Sequence, residues 1–253
     1  MNNLNASPKI EFNLINDGEL TRIYYEMGLI FGDEKIRTYE GLVSLIENTY
    51  KENLEDYLKK IKACSRSIFI RNILDSGRLS NIASRYGIKA PVSFSYPVMH
   101  ISSMKIFSSD NDLNPHQDWP SCLGSYNSII IWICLGGATK ESGGLDFYCS
   151  DQNIALLKGE ETSNIVSTYK YELSKLQKKY IHIAAGDALV FGQFIPHGSQ
   201  NGNTRISVSI RIEDAGEEYW KERGYEYAQK TIVNRKNFSE LEMLKINAEI
   251  KKN

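Results

Sequence analysis

Ile129, Ile131, Ile133 and Leu135 alternate with Ile130, Trp132 and Cys134 in one unbroken run. A strand turns successive side chains to opposite faces, so both faces of this segment are apolar. Such a strand has to lie between two layers, and this requirement shapes everything around it. Its surroundings agree. Gly143-Gly144 and Gly186-Asp187 mark turns between short segments at Leu145 to Tyr148, Tyr180 to Ile183, Ala188 to Gly192 and Ile206 to Ile212. Several short strands separated by turns predict a sandwich or jelly roll, a mainly β fold with flanking helices.

The helices come first in the chain. From Thr38 the apolar positions Leu42, Leu45, Ile46, Tyr50, Leu54, Tyr57, Leu58 and Ile61 recur at helical spacing and predict one long amphipathic helix. A second helical stretch covers Ile68 to Tyr86, is punctuated at Gly77 and stops at Gly87. Residues 13–35 carry no clear periodicity. At Pro91 the texture changes to Ser, Val, Tyr and Phe without a helical repeat. The polar stretch from Ser150 to Lys179 reads as a lid, a binding loop or a solvated excursion, with a helix near Tyr169 to Lys178. Beyond Asp214 the chain turns helical again, and Ser239 with Glu242 forms a capping box for a last helix. The expected organisation is a single domain over 1–253. Residues 1–90 give helical support, 91–214 the jelly-roll core, and 215–253 C-terminal helices that close the domain or join a homodimer.

Charge narrows the partners. Lys plus Arg number 30 against 31 for Asp plus Glu, a net charge of -1 with no basic stripe. Neither nucleic acid nor an anionic membrane is an expected partner; a small molecule is. The longest apolar run, Ile129 to Leu135, is too short to cross a bilayer, and Met1 to Phe12 lacks a signal-peptide core. Cys64, Cys122, Cys134 and Cys149 form no C-x-x-C pair, which disfavours a zinc ribbon and suggests reduced thiols and cytoplasmic residence.

Chemistry concentrates in a few polar residues around these strands. His116 and Asp118 stand two apart, so an extended backbone points both to one side. His197 follows the strand Ala188 to Gly192, where a jelly roll can return it to that pair. Two histidines and one carboxylate make the facial triad of non-heme Fe(II) oxygenases, which leaves three octahedral positions for a chelating cosubstrate and dioxygen. Arg205, at the head of the strand Ile206 to Ile212, offers the planar, permanently charged fork that suits the distal carboxylate of 2-oxoglutarate. Ser199 is placed to donate a second hydrogen bond. Lys105 is either an auxiliary carboxylate contact or a solvated strand lysine, and His100 and His182 read as structural. Tyr96, Tyr126, Phe147 and Tyr148 are core aromatics or cavity lining.

These motifs, in this order, resemble the phytanoyl-CoA dioxygenase family. The resemblance runs over roughly residues 95–213. It rests on His116-Gln117-Asp118, Trp132 to Leu135, Gly143-Gly144-Leu145, Gly186 to Phe191, Pro196 to Ser199, Asn201 and Arg205. It implies a double-stranded β-helix, Fe(II), 2-oxoglutarate and O2 as requirements, and oxidation of a substrate C–H coupled to formation of succinate and CO2. It also implies that His116, Asp118 and His197 hold iron while Arg205, Ser199 and Trp132 contact 2-oxoglutarate. Where that family often has a Pro-Gly-Ser-His turn, this chain reads Cys149-Ser150-Asp151-Gln152. The substrate therefore does not carry over, and a small polar metabolite or a sugar or glycan precursor is the expected class. Two alternatives stand beside this reading: a cupin-type metalloenzyme such as an isomerase, and a non-catalytic jelly-roll carbohydrate-binding module.

Overall fold

The computed structural model describes residues 4–74, 77–93, 97–105, 114–122, 125–139, 141–161, 166–200 and 202–216. A first strand, β1 (Lys9–Glu11), precedes five helices: α1 (Asp17–Phe31), α2 (Tyr39–Glu52), α3 (Leu54–Arg66), α4 (Ile68–Leu74) and α5 (Arg78–Arg85). Next come β2 (Pro91–Ser93), β3 (Val98–Ser102), a single turn α6 (Trp119–Cys122), β4 (Ser128–Cys134), β5 (Leu145–Cys149), β6 (Gly159–Glu161) and β7 (Val166–Thr168). The series ends with α7 (Lys170–Leu173), β8 (Gln177–Tyr180), β9 (Ala188–Gly192), β10 (His197–Ser199) and β11 (Arg205–Asp214).

The larger sheet runs β1-β9-β4-β11-β2, with β3 also paired to β11, and every pairing is antiparallel. The smaller sheet runs β10-β5-β8. As the sequence requires, β4 is buried along its whole length, because its two faces enter two different cores. Ile129, Ile131 and Ile133 pack with Val208, Ile210 and the helices, including Ile23, Met27, Leu42, Ile46 and Ile82. Ile130, Trp132 and Cys134 pack with Leu145, Phe147, Leu189 and Phe191 between the sheets. Two antiparallel sheets closed over one interior, with helices outside the larger, form a double-stranded β-helix jelly roll.

The helical layer departs from the reading in three places. Residues 13–35 contain α1, started by a capping box in which Asn16 accepts from Glu19 N and Glu19 accepts from Asn16 N, both at 3.0 Å. The long helix expected from Thr38 is two helices. Asn53 breaks it: in extended backbone its side chain accepts from Asp56 N at 3.0 Å and restarts the chain as α3. Nor is the region before residue 90 all helical, since β1 adds an edge to β9. The helix expected near Tyr169 to Lys178 shrinks to α7, because Gln177–Tyr180 pairs with β5, where Lys178 meets Asp146 at 2.7 Å. The strand read at Tyr180 to Ile183 accordingly lies earlier in the chain as β8, and Ile183 keeps only an isolated bridge to Ala138. The C-terminal helices and the dimer assigned to them fall outside the described residues. No helix among those described is long and apolar enough to cross a membrane, and Cys64, Cys134 and Cys149 are free thiols.

Candidate metal centre

Backbone pairing alone brings the two histidines together. His116 N donates to His197 O and His197 N donates to His116 O, both at 2.9 Å, extending the smaller sheet by one residue pair. The rings then lie 4.6 Å apart. His116 Nδ1 lies 2.8 Å from Asn114 O and His197 Nδ1 lies 3.0 Å from Ile195 O. A carbonyl accepts only from a protonated nitrogen, so each Nδ1 carries the hydrogen and each Nε2 lone pair is left to face a cation. Asp118 completes the group: its Oδ2 is 3.5 Å from His197 Nε2, and ligand atoms of all three residues lie within 4.8 Å of one another. All three are buried.

Electrostatics suit a cation. Burial opposes ionisation of Asp118, but Arg211, His197 and His116 outweigh it and hold the carboxyl well below the usual carboxylate range. Burial, reinforced by His116, lowers His197 to about 4, so its imidazole is neutral and ready to ligate. Gln117, between the ligands, points elsewhere. Its amide donates to Ala155 O at 2.8 Å and Phe194 O at 2.6 Å and accepts from Leu157 N at 2.9 Å. With Thr168 N donating to Pro115 O at 2.8 Å, this fastens the 150–179 insertion to the ligand loop. Trp119 and Phe194 stack beside it at 5.5 Å.

Arg205 opens β11 as expected and is only 2% exposed. Register puts Arg205, Ser207, Ser209 and Arg211 on the face shared with Ser102, His100, Val98, Cys134, Trp132 and Ile130, which looks into the jelly roll. The Arg205 guanidinium lies 5.4 Å from the Trp132 ring centroid and donates through Nη1 to Gly144 O at 2.9 Å. Trp132 thus meets Arg205 as a platform. Ser199 shares the inward face of His197 on β10, opposite Leu145. Ser207 Oγ, two residues along β11 from Arg205 and on the same face, is buried with no hydrogen-bond partner among the described residues.

Tyr39 anchors Arg205 from the helical side. Its hydroxyl donates to Thr204 O at 3.0 Å and accepts from Ile206 N at 3.1 Å, so it grips the backbone on both sides of the arginine. The ring occupies space that only a glycine leaves at position 136, where a Cβ would come within 2.1 Å of it.

One residue that touches the site escaped the sequence reading. Arg211 donates through Nη2 to Asp118 Oδ1 at 3.1 Å. His100, read as structural, faces the interior opposite Ser207. Burial, and then the charges of Arg211 and Arg205, lower it to about 4, with Asp118 opposing. Lys105, by contrast, sits outside, 55% exposed and 3.7 Å from Glu47. Phe147 packs on His197 at 5.9 Å, and Tyr126 on Trp119 at 5.4 Å. Tyr96 and Asn201 fall outside the described residues.

No family model matches the sequence, and no curated protein matches it. Solved structures do. The chain is similar to the epimerase SnoN in complex with Fe3+, alpha ketoglutarate and nogalamycin RO, at 13% identity over 83% of this chain and 80% of that one, with a TM-score of 0.58. It is similar to EctD from S. alaskensis in its apoform, at 10% identity over 83% and 74% of the two chains, with a TM-score of 0.54. The non-heme monooxygenase ThoJ in its apo form shares 13% identity over 81% and 74%, with a TM-score of 0.53. At these identities the likeness establishes the fold.

Proposed function

We propose that this protein is an Fe(II)- and 2-oxoglutarate-dependent oxygenase that oxidises a C–H bond of a small polar metabolite or of a sugar or glycan precursor. The observation that carries the reading is the convergence of His116, Asp118 and His197, with each imidazole tied through Nδ1 and ligand atoms of all three residues within 4.8 Å of one another. The donor set fits the metal: two neutral nitrogens and one carboxylate suit ferrous iron and leave open positions for a chelator and dioxygen. The interior fits the cosubstrate: a buried arginine fork with a spare serine hydroxyl beside it suits a carboxylate.

Once bound, iron with 2-oxoglutarate and dioxygen supplies an oxidant for C–H bonds, at the expense of 2-oxoglutarate decarboxylated to succinate and CO2. The protein's residues do the rest. His116, Asp118 and His197 fix the position of the metal; Arg205, steadied by Trp132 and Gly144, orients the far carboxylate, and Ser199 or Ser207 adds a hydroxyl. Phe147, Phe191 and Ile130 line the apolar wall and exclude water. Farther along the same inward face of the larger sheet, His100, Ser102 and Ser209 add hydroxyls and an imidazole, which favours a hydroxylated substrate over a hydrocarbon chain. The neighbours support the class, since one is named an alpha ketoglutarate dependent epimerase and another a monooxygenase. The likeness to the phytanoyl-CoA dioxygenase family rests on the sequence motifs alone. A cupin-type isomerase would have no use for Arg205, and a binding module no use for the triad.

Anaerobic addition of Fe(II) and 2-oxoglutarate should give a weak visible charge-transfer band. His116→Ala should abolish it while the circular dichroism spectrum stays the same. A correctly folded, iron-loaded protein that develops no band refutes the cosubstrate assignment. A substrate screen read by succinate release then identifies what is oxidised.

A further inference from the structure

We propose that Arg211 is a positioning residue that restricts Asp118 to ligation through one oxygen and thereby preserves the third open position on the metal. The inference rests on the metal reading above and concerns how that site is kept competent.

The two oxygens of Asp118 have different surroundings. Oδ1 faces Arg211 Nη2 at 3.1 Å, whereas Oδ2 faces His197 Nε2 at 3.5 Å and lies on the side of the two imidazoles. A carboxylate can bind a divalent cation through one oxygen or through both. With both, the triad fills four of six octahedral positions, and a chelating cosubstrate takes the remaining two, leaving none for dioxygen. With one, the triad fills three and a place remains. A hydrogen bond that occupies Oδ1 decides between these states.

Arg211 is suited to that task. Its guanidinium keeps its charge at any working pH, so the restraint does not come and go with protonation. Its backbone is held on both sides, because β11 pairs with β4 through Arg211 opposite Ile130 and with β2 from the next residue, Ile212 opposite Ser93. The side chain is 15% exposed and reaches Asp118 from the larger sheet, whereas His116 and His197 belong to the smaller one. The carboxylate is thus pulled toward one sheet by Oδ1 while Oδ2 stays with the imidazoles on the other.

The test counts exchangeable waters on Mn(II), used as a paramagnetic probe, by electron paramagnetic resonance line broadening in 17O-enriched water. Wild type should show three waters, falling to one with 2-oxoglutarate bound; Arg211→Met, which carries no donor, should show two, falling to none. Arg211→Lys, which returns a fixed cation, should recover the third water, a rescue that a purely structural role would not produce. Two waters in wild type overturn the proposal, and so do three in Arg211→Met. If that variant does not fold, Arg211→Leu removes the same donor and is read the same way. If wild type binds no Mn(II), the metal reading itself fails, and that result is distinct from a changed water count.

Discussion

Tyr39→Phe removes one oxygen atom from the helical layer and should be felt inside the jelly roll. The hydroxyl occupies the place of a missing strand. Leu135 N still donates to Ile206 O at 2.9 Å, but the chain turns away at Gly136, and Ile206 N finds Tyr39 in place of a β4 carbonyl. Phenylalanine leaves Ile206 N–H and Thr204 C=O without their partner. An unpaired buried group costs about 1–3 kcal/mol. Both contacts are only partly buried, so the two together should cost about 2–3 kcal/mol. For a chain of this size that corresponds to a fall in Tm of roughly 5–10 °C. The functional effect is separate from the stability effect. Arg205 lies between the two released groups, so 2-oxoglutarate should bind up to about tenfold more weakly, or ~1.4 kcal/mol, while metal affinity stays put. Tyr24→Phe is the control: its hydroxyl donates to Leu135 O at 2.5 Å and to neither backbone group that flanks the arginine, so it should lower Tm without touching cosubstrate affinity. Calorimetry gives Tm, and titration of 2-oxoglutarate into metal-loaded protein gives affinity. A Tyr39→Phe variant with wild-type values for both would show that the backbone around Arg205 holds itself and refute the reasoning.

Arg205→Gln should weaken 2-oxoglutarate by about 100-fold, the value of roughly two charge-assisted hydrogen bonds, and leave metal binding within about threefold by the same accounting; equal losses of both would remove Arg205 from the cosubstrate. Gln117→Leu severs three contacts to the backbone and should destabilise by about 3 kcal/mol or more, with faster amide exchange at Leu157; unchanged exchange there would mean the insertion is held by other contacts. Acid should destabilise the metal-free protein. His100 and His197 titrate near 4 in the fold against 6.5 when free, so the unfolded chain takes up protons that the folded one refuses. Stability present above pH 6.5 is then lost as pH falls toward 4, by an amount on the order of a few kcal/mol. Urea midpoints that do not move across that window would refute the burial of these imidazoles.

The sequence revealed most where a single residue pattern had only one physical outlet. A run of seven residues apolar on both faces had to become β4, and the run Ala188 to Gly192 became β9 without a shift. The triad was readable because His116 and Asp118 share a face by simple alternation, and Arg205 because its strand begins at that residue. Arg211 was hidden by the same rule. Ile206, Val208, Ile210 and Ile212 alternate with Arg205, Ser207, Ser209 and Arg211, a pattern that ordinarily sends the polar set to water. Here the polar set faces an enclosed interior and the apolar set faces helices. Once Arg205 is assigned inward, parity places Arg211 inward too, and that was the available signal. Asn16 and Glu19 likewise announced α1 through their spacing. Tyr39 had no such signal, since its partners lie 165 and 167 residues away and no local pattern encodes them.

The mutual backbone bonding of His116 and His197 sets the order in which the centre assembles. Drawing the two rings apart would rupture a pair of peptide contacts at once, so the distance between them is gauged by the chain before any ion arrives. Little ordering entropy remains to be lost on that side, and the imidazoles form a ready berth. Asp118 lies just beyond that pair, and its carboxylate is oriented by a side chain, Arg211. An arriving cation should settle first on the nitrogen pair, with the carboxylate closing last, and emptied protein should keep its histidine spacing through repeated cycles of metal removal and return.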